Sequence, residues 1–180
     1  MIILASSSPR RRELFKTISS EFSIIPPKAD ENTTEVKPDK IVTELAERKA
    51  LCVFRSHPSD IVVSCDTVVY DGEVLNKPKD EAEAAKCLKR LSGRWHKVYS
   101  GVCILSPKGK DVFYEMTAVK FKKLTDGEIE DYIKKFNPLD KAGAYGIQDN
   151  VCVEKIRGDY YNVVGLPVKK LSRIIRRHYA

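Results

Sequence analysis

Short β-branched runs alternate with longer amphipathic segments along the whole chain, and this alternation limits the possible folds more than any other feature. Such runs are typical of strands, whereas apolar residues that recur every three or four positions are typical of helices. The predicted strands are residues 2–5, 22–26, 61–63, 95–105, 112–122 and 151–156, and helices are predicted to start near residues 9, 38, 80, 125 and 168. Interleaved strands and helices, with hairpins among them, predict an α/β fold with a mixed sheet.

Turn and cap residues separate these segments. Asp71-Gly72 lies between two apolar stretches, which is a strong signal for a β-hairpin. Asp80 and Thr125 are each followed three residues later by glutamate, the spacing of a capping box at the start of a helix. No internal repeat or low-complexity linker divides the chain, so we expect a single domain over residues 1–180.

The composition is ordinary for a globular protein: 42% of the 180 residues are hydrophobic and 32% are charged. No apolar run approaches the roughly 20 residues of a membrane helix, and the apolar residues 1–5 are too few for a signal peptide. The five cysteines show no C-x-x-C spacing, so we expect reduced thiols that pack as small apolar residues rather than a zinc site. These features predict a cytoplasmic protein that does not associate with a membrane.

The formal net charge of +7 favours anionic partners such as nucleic acids or phosphorylated small molecules. Basic residues cluster between Lys169 and His178, but Val168, Leu171 and Ile175 recur inside this stretch at helical spacing. A nucleic-acid patch and the solvated basic face of an amphipathic helix both agree with this pattern. The apolar stripe favours the second interpretation.

Two segments that follow predicted strands carry polar side chains suited to phosphate chemistry. Residues 6–11, with the sequence Ser-Ser-Ser-Pro-Arg-Arg, lead into a helix whose N-terminal N–H groups, hydroxyls and guanidinium groups can bind phosphate. An ordinary capped helix with surface arginines would have the same sequence. Asp66, after an apolar strand, can hold a metal ion or activate water, or can equally cap the following turn. Glu31, in a polar loop, can supply a second carboxylate.

Three further candidates lie outside these segments. Lys77, next to the rigid Pro78, can neutralise phosphate charge, although exposed lysines are usually only solvated. Gln148 ends the glycine- and alanine-rich residues 138–148 and can pair with an amide edge, and a mobile surface loop is the alternative. Lys49 lies on the second predicted helix and is interpreted as a polar-face lysine without a role, unless that face lines a cleft.

Other catalytic patterns receive less support. Ser92 and His96 suggest nucleophilic catalysis, but no G-x-S-x-G elbow and no third partner accompany them. The G-x-x-x-x-G-K-[ST] run of a P-loop enzyme does not occur in the sequence.

Taken together, these segments resemble the Maf family of nucleotide pyrophosphatases. The matching motifs span nearly the whole chain in the family's order. They are residues 4–11 (LASSSPRR) with Glu13-Leu14, Asp30-Glu31, Leu45-Ala46 with Lys49-Ala50, Asp66-Thr67-Val68-Val69, Lys77-Pro78, Leu91-Ser92-Gly93 with His96, residues 140–148 (DKAGAYGIQ) and Val164-Gly165-Leu166-Pro167. Cys65 and Asn76 depart from the pattern, since the family commonly has alanine and glycine at these positions.

The resemblance implies an elongated mixed β-sheet with flanking helices and two lobes around a cleft, a fold related to that of inosine triphosphatase. It implies that a nucleoside triphosphate is hydrolysed to the monophosphate and pyrophosphate, with Asp66 activating the water. Glu31 and Asp66 would hold a divalent metal ion, which is Mg²⁺ or else Mn²⁺ or Co²⁺. The implied substrate-binding residues are Ser6, Arg10, Arg11, Lys49, Thr67, Lys77 and Gln148. A homodimer is compatible with the sequence, and no nucleic-acid partner is expected.

Within the family, this chain resembles the branch that acts on dTTP and UTP at three positions, Arg10, Thr67 and Gln148. The branch that acts on 7-methylguanosine triphosphate usually has tryptophan, glutamine and glutamate there. The neutral amide of Gln148 matches a carbonyl and the imide N–H of uracil or thymine, whereas glutamate suits the N–H edge of guanine. A regulatory protein that keeps the fold, a basic nucleic-acid binder, and an enzyme for purine or modified nucleotides are the alternative interpretations.

Overall fold

The structure is a computed structural model that describes residues 1–179, without the side chain of His178, the last residue of the predicted basic stretch. The chain forms two compact units, each built from separate stretches of sequence. The first contains Met1–Thr67, Ser100–Glu115 and the segment from Gly165 onward, and the second contains Val68–Tyr99 and Met116–Val164. That residues 1–180 form a single domain stays a prediction, and Ala180 lies outside the described residues.

Strands and helices interleave along the chain as the sequence predicts. The strands are β1 (Ile2–Ala5), β2 (Ser23–Ile24), β3 (Ile61–Tyr70), β4 (Val74–Leu75), β5 (Trp95–Ser106), β6 (Gly109–Phe121) and β7 (Val153–Arg157). The helices are α1 (Pro9–Phe15), α2 (Pro38–Phe54), α3 (Glu81–Leu91), α4 (Asp126–Phe136), α5 (Tyr160–Val164) and α6 (Val168–His178). The strands form one seven-stranded sheet in the order β2-β1-β3-β5-β6-β7, with β4 paired to β3. Because parallel and antiparallel pairs both occur in it, the predicted α/β class with a mixed sheet is confirmed.

In the first unit, β1 lies between β2 and β3 and runs parallel to both. Successive residues of a strand point to opposite faces of the sheet, so this part of the sheet carries two cores. One core, against α2, contains Ile3, Ala5, Ala46, Ala50, Val53 and Val62; the other, against α1 and α6, contains Leu4, Phe15, Val63, Cys65, Leu171 and Ile175. Continued along β3, the same alternation places Asp66 on the α2 side and Thr67 on the α1 side.

In the second unit, β3 and β4 form the predicted hairpin at Asp71-Gly72. Val69 pairs with Leu75 across this hairpin, and Gly72 has a φ of +76°, which suits a tight turn. The helices α3 and α4 pack on the sheet through a core that contains Ala84, Leu88, Leu91, Val98, Val119, Phe121, Ile129 and Ile133. Both helices begin at the predicted caps, since the side chains of Asp80 and Thr125 accept N–H bonds from the first helical turn.

Three elements differ from the sequence predictions. Strand β3 is longer than predicted and runs over Ile61–Tyr70, because its polar residues continue the inward and outward alternation. Strand β2 has only two residues, Ser23–Ile24. The short helix Tyr160–Val164 was not predicted, since its residues favour strands by propensity. Tertiary contacts stabilise this helix, because Asn162 is buried and donates hydrogen bonds to β5 and β6.

The C-terminal helix has the predicted apolar stripe and an exposed basic face, whereas the lack of a nucleic-acid partner stays a prediction. Leu171 and Ile175 are buried, whereas Lys169, Arg173 and Arg176 are exposed. Among the helices of residues 1–179, none is both long enough and apolar enough to cross a membrane.

Gly101 in β5 lies against the backbone of α2, and a side chain does not fit there. A Cβ added to Gly101 would lie 2.3 Å from the carbonyl carbon and oxygen of Val42. We therefore expect Gly101→Ala to lower the free energy of unfolding in urea by about 1–3 kcal/mol. Gly127→Ala is the control, because a Cβ at Gly127 would meet no atom within 4 Å and should stabilise the chain by up to about 1 kcal/mol. Equal losses in both variants would contradict the close approach at Gly101.

Candidate functional site

Asp66 accepts a charge-assisted hydrogen bond from Lys49. Lys49 Nζ lies 2.6 Å from Asp66 Oδ1 and 3.0 Å from Glu31 Oε1. The Lys49 and Asp66 side chains are each 10% exposed, whereas that of Glu31 is 62% exposed. Water therefore screens the Glu31 pair much more than the Asp66 pair. One ammonium group thus lies between a buried and an exposed carboxylate.

The packing of α2 accounts for the burial of Lys49. Ala46 and Ala50 are fully buried, and their small side chains let α2 approach the sheet closely. Residues three and four positions apart lie on the same side of a helix, so Lys49 faces the sheet together with Ala46. The Ser64 hydroxyl, on the same side of β3 as Asp66, donates a hydrogen bond to the Ala46 carbonyl oxygen. The interpretation of Lys49 as a polar-face residue is therefore wrong.

On the other side of β3, Arg11 holds Thr67. Arg11 Nη2 donates to Thr67 Oγ1 at 3.1 Å, and Arg11 Nε donates to the Gly165 carbonyl oxygen at 2.8 Å. Thr67 Oγ1 also lies 2.8 Å from Ser100 Oγ. These contacts fix the orientation of the guanidinium group. Because a guanidinium carries five N–H donors in a rigid fork, others can bind an anion.

Gly165 and Ser100 complete this side, and sequence reasoning gave neither of them a role. Gly165 has a φ of +128°, which side chains rarely allow, and its carbonyl oxygen accepts the bond from Arg11. Ser100 is fully buried between the apolar Val98 and Val102 of β5. A serine at an inward position of an apolar strand needs a hydrogen-bond partner, and this was the available signal.

The serine loop after β1 is held by its own hydroxyls. The Ser8 N–H donates to Ser6 Oγ at 3.1 Å, and the Arg11 N–H donates to Ser8 Oγ at 3.4 Å. Ser8 therefore caps α1, and Pro9 is its first residue, as predicted. Ser6 is buried, and since its oxygen accepts the bond from Ser8, its hydrogen is the atom it can offer to a ligand. Arg10 is partly exposed in the first turn of α1.

Cys65 directly precedes Asp66 at a position where the chain departs from the family pattern. It is fully buried, and its Sγ lies 3.4 Å from the Gly165 carbonyl oxygen. Burial raises the pKa of the Cys65 thiol above its ordinary value, against the opposing effect of the Arg11 charge. The thiol is therefore protonated at neutral pH and acts as a small apolar residue rather than as a nucleophile.

Lys77 and Gln148 belong to the second unit and lie on two linked segments. Lys77 is exposed between the exposed Asn76 and the buried Pro78. The Gly143 N–H donates to the Asn76 carbonyl oxygen at 3.4 Å, which ties the segment after β4 to the segment that ends at Gln148. The segments that carry these two predicted substrate-binding residues are therefore linked by a backbone hydrogen bond.

The segment before Gln148 is packed against the core of the second unit. Gly143 has a φ of +70°, and a Cβ added to it would lie 2.9 Å from Val69 Cγ2. Ala144 and Tyr145 are buried in the same core. Gln148 itself is exposed on the 3-10 turn Ile147–Asp149. The alternative of a mobile surface loop is therefore wrong for these buried residues.

His96 and Ser92 make hydrogen bonds to different partners and do not form a nucleophile–base pair with each other. His96 is 3% exposed, and its Nε2 lies 2.7 Å from the Tyr145 hydroxyl. Burial lowers the pKa of His96 to about 4, so its imidazole is neutral at pH 7. The Ser92 hydroxyl accepts the Leu124 N–H at 2.8 Å. Both side chains hold the fold of the second unit.

Two carboxylates of the first unit fit a divalent cation. Among the side chains that the structure describes, no group of three or more histidine, cysteine or acidic residues is arranged to hold a metal. Glu31 and Asp66 nevertheless both contact Lys49 Nζ, so the two carboxylates converge on one positive charge. Mg²⁺ that binds together with a phosphate substrate typically uses only one or two protein carboxylates. The pair meets this requirement.

Two solved structures share this fold, each at a TM-score of 0.51. The Ham1 protein of Staphylococcus aureus is 15% identical, and the similarity covers 67% of this chain and 71% of that one. The nucleoside-triphosphatase, dITP/XTP pyrophosphatase, of Mycobacterium abscessus is 17% identical, with coverage of 98% and 94%. The chain therefore shares its fold with these two proteins.

The sequence comparison defines the family. Residues 1–178 match the model of the Maf-like protein family. Relatives named dTTP/UTP pyrophosphatase include those of Clostridium novyi, 49% identical over 96% of this chain and 95% of the relative, and Thermosipho melanesiensis, 48% identical over 97% and 96%. The relative of the same name in Aquifex aeolicus is 43% identical over 97% of this chain and 94% of its own. The chain belongs to the Maf family.

The lowered pKa of His96 predicts pH-dependent stability. Its folded pKa of about 4 lies below the ordinary 6.5, so its contribution is complete above pH 6.5 and is lost as the pH falls towards 4. We expect this loss to reach about 3 kcal/mol. Urea unfolding at pH 7, 6, 5 and 4 measures this loss. The free energy of unfolding of the wild type should fall relative to that of His96→Phe as the pH decreases. A constant difference over this range would contradict the assignment.

Proposed function

We propose that this chain hydrolyses dTTP and UTP to the nucleoside monophosphate and pyrophosphate. The name shared by its relatives supports the substrates and the reaction. The observation that carries the proposal is the buried Asp66 carboxylate, held by Lys49 at 2.6 Å beside the exposed Glu31. In this arrangement the positive charge of Lys49 contacts both the proposed proton acceptor, Asp66, and a second carboxylate, Glu31.

Asp66 is the general base in this proposal. Its Oδ1 accepts the bond from Lys49, so Oδ2 is the oxygen that takes the proton of the attacking water. The bond between the α- and β-phosphates breaks, and pyrophosphate leaves. Lys49 fixes the orientation of Asp66 and contributes positive charge near the phosphates, where negative charge develops.

The triphosphate is bound by hydroxyl and cationic groups. Arg11, whose orientation is fixed by Thr67, offers its other N–H donors to phosphate oxygens. Ser6 donates its hydroxyl hydrogen, and Arg10 and Lys77 add positive charge. Each contact is of a type that a phosphate oxygen accepts.

A divalent metal ion, Mg²⁺ or else Mn²⁺ or Co²⁺, is part of the proposal. Glu31 and Asp66 would hold it, because the two carboxylates already converge on one charge. When bound, such an ion offsets the charge of the triphosphate and polarises a phosphoryl oxygen.

Base selection is assigned to Gln148, Thr67 and Arg10. The Gln148 amide carries one acceptor and donors, which match the imide N–H and a carbonyl of uracil or thymine. Thr67 contributes through Arg11, because its hydroxyl accepts the guanidinium N–H. A site that hydrogen-bonds its substrate strongly rejects a mismatched one, since its own polar groups are then left without partners.

We also propose a cytoplasmic location, where nucleoside triphosphates are available as substrates. A homodimer and the lack of a nucleic-acid partner stay predictions from the sequence.

Replacing Asp66 by asparagine should lower kcat by about 100-fold to 10,000-fold, because asparagine keeps the shape but takes no proton. Circular dichroism should show an unchanged fold, since the asparagine oxygen can still accept the Lys49 bond. Asp126→Asn is the matched control, because Asp126 is 75% exposed and pairs only at the surface with Lys89. Turnover of folded Asp66→Asn at the control's rate would remove Asp66 from the mechanism.

A substrate panel with pyrophosphate detection tests the proposed function. With Mg²⁺, kcat/KM for UTP and dTTP should exceed that for ATP and GTP by at least about 10-fold. Pyrophosphate should be the released product, and EDTA should abolish its release. Release of orthophosphate would contradict the pyrophosphatase reaction, whereas equal use of purine nucleotides would contradict only the base selection.

A further inference from the structure

The hydroxyl group of Tyr132 in α4 joins both sides of the turn that carries Gln148. Tyr132 Oη donates to Asp149 Oδ2 at 2.6 Å and accepts the Gly146 N–H at 2.9 Å. Gly146 lies two residues before Gln148, and Asp149 lies directly after it. One hydroxyl therefore bonds the backbone on one side of Gln148 and a carboxylate on the other. These two hydrogen bonds of Tyr132 form a clamp around Gln148.

The directions of these two hydrogen bonds are determined. Burial and the bond to Asp149 raise the pKa of Tyr132 well above its ordinary range, so the phenol stays protonated. Its one hydrogen goes to the Asp149 carboxylate, which can only accept. The Tyr132 oxygen is then the acceptor for the Gly146 N–H.

Gly146 brings the groups of this turn into close contact. A Cβ added to Gly146 would lie 3.0 Å from Asp149 Oδ2 and 3.3 Å from Gln148 Oε1. The same Cβ would lie 3.2 Å from Lys141 Cε, so three side chains crowd the backbone at Gly146. The Asp149 N–H closes the turn by donating to the Gly146 carbonyl oxygen at 3.2 Å. Tyr132 therefore bonds Gly146 and Asp149, and the side-chain oxygen of Gln148 lies near Gly146.

Tyr132 is itself firmly anchored. It is 2% exposed and belongs to the core of the second unit with Ile129 and Ile133. Its ring lies 5.0 Å from that of Phe136, measured between centroids. The helix that carries it begins with a complete capping box at Thr125. The hydroxyl is therefore carried by a capped helix that packs on the core.

We infer that Tyr132 and Asp149 are positioning residues for base selection, which hold the Gln148 amide in the orientation that meets the nucleobase. This inference rests on the proposed function, in which Gln148 contacts the base. Without the clamp, the amide samples several orientations, and a matched base loses more than a mismatched one. Small misplacements of a contacting group can lower catalytic efficiency by about 100-fold.

A double-mutant cycle tests whether Tyr132 acts through Gln148. We measure kcat/KM for UTP and ATP in the wild type, Tyr132→Phe, Gln148→Ala and the double variant. Tyr132→Phe keeps the ring and should lower the UTP-over-ATP ratio by about 10-fold, mostly through KM for UTP. In the Gln148→Ala background the same change should leave the ratio unaltered. A purely structural role would lower the active fraction and leave the ratio at its wild-type value.

Tyr179→Phe is the matched control for the lost hydroxyl. Tyr179 Oη donates to Asp111 Oδ2 at 2.7 Å in the first unit, so this variant loses the same kind of bond. Its UTP-over-ATP ratio should stay at the wild-type value. If Tyr132→Phe does not fold, the partly exposed Asp149→Ala removes the other half of the clamp and should lower the ratio equally.

Hydrogen–deuterium exchange over residues 146–150 examines the clamp without turnover. Exchange at least about 10-fold faster in Tyr132→Phe supports it, because a protecting hydrogen bond is lost. Unchanged exchange overturns it, whatever the activity of the wild type.

The inference also fails if Gln148→Ala lowers the UTP-over-ATP ratio while Tyr132→Phe does not. An unchanged ratio in Gln148→Ala overturns the role of Gln148 and the inference with it, but leaves pyrophosphate release from UTP as a separate result.

Discussion

The alternation of side chains along β3 determines where the charged groups of the first unit meet. Asp66 and Thr67 are consecutive, so they point to opposite faces of the sheet, where Lys49 contacts one and Arg11 the other. A shift of the strand by one residue would exchange these partners and bring the carboxylate to the guanidinium. The parallel pairing of β1 with β3, with Ala5 opposite Ser64, fixes the register. The pairing of β1 with β3 thus determines which charged group each of these two residues contacts.

Stability alone does not explain why Lys49 and Asp66 are buried. Removing two charges from water costs several kcal/mol per ion, and their attraction often only offsets this cost. A well-packed apolar pair next to Ala46 would be at least as stable. A buried carboxylate with one oxygen held by an ammonium has a fixed orientation, however, and its second oxygen can act on a substrate. The proposed role of Asp66 as a general base accounts for this pair, and the small residues of α2 permit its burial.

The sequence predicted the elements well wherever local signals suffice. Ser8, Asp80 and Thr125 all cap helices where their spacing predicts. Features that depend on which surfaces pack together could not be predicted in this way. The burial of Lys49 depends on which face of α2 meets the sheet, and periodicity alone did not place lysine on that face. The site roles came from the family resemblance, since each motif taken separately had an ordinary structural alternative.

Tyr132 shows the limit of sequence reasoning most clearly. It is a core residue together with Ile129 and Ile133. Its hydroxyl, however, bonds residues that are 14 and 17 positions away, and no local pattern indicates those partners. A phenol suits this role because its ring is buried while its oxygen both donates and accepts.

The glycines of residues 142–148 serve close packing more than flexibility. Gly143 lies where a Cβ would meet Val69, and Gly146 lies where one would crowd Asp149 and Gln148. Each position lets the backbone approach a neighbour that then restrains it. A segment restrained in this way has already lost most of its conformational entropy on folding, so a ligand does not have to order it on binding. Under the proposed function, the binding energy at Gln148 is then left to distinguish one base from another, so a packed glycine-rich segment suits this role.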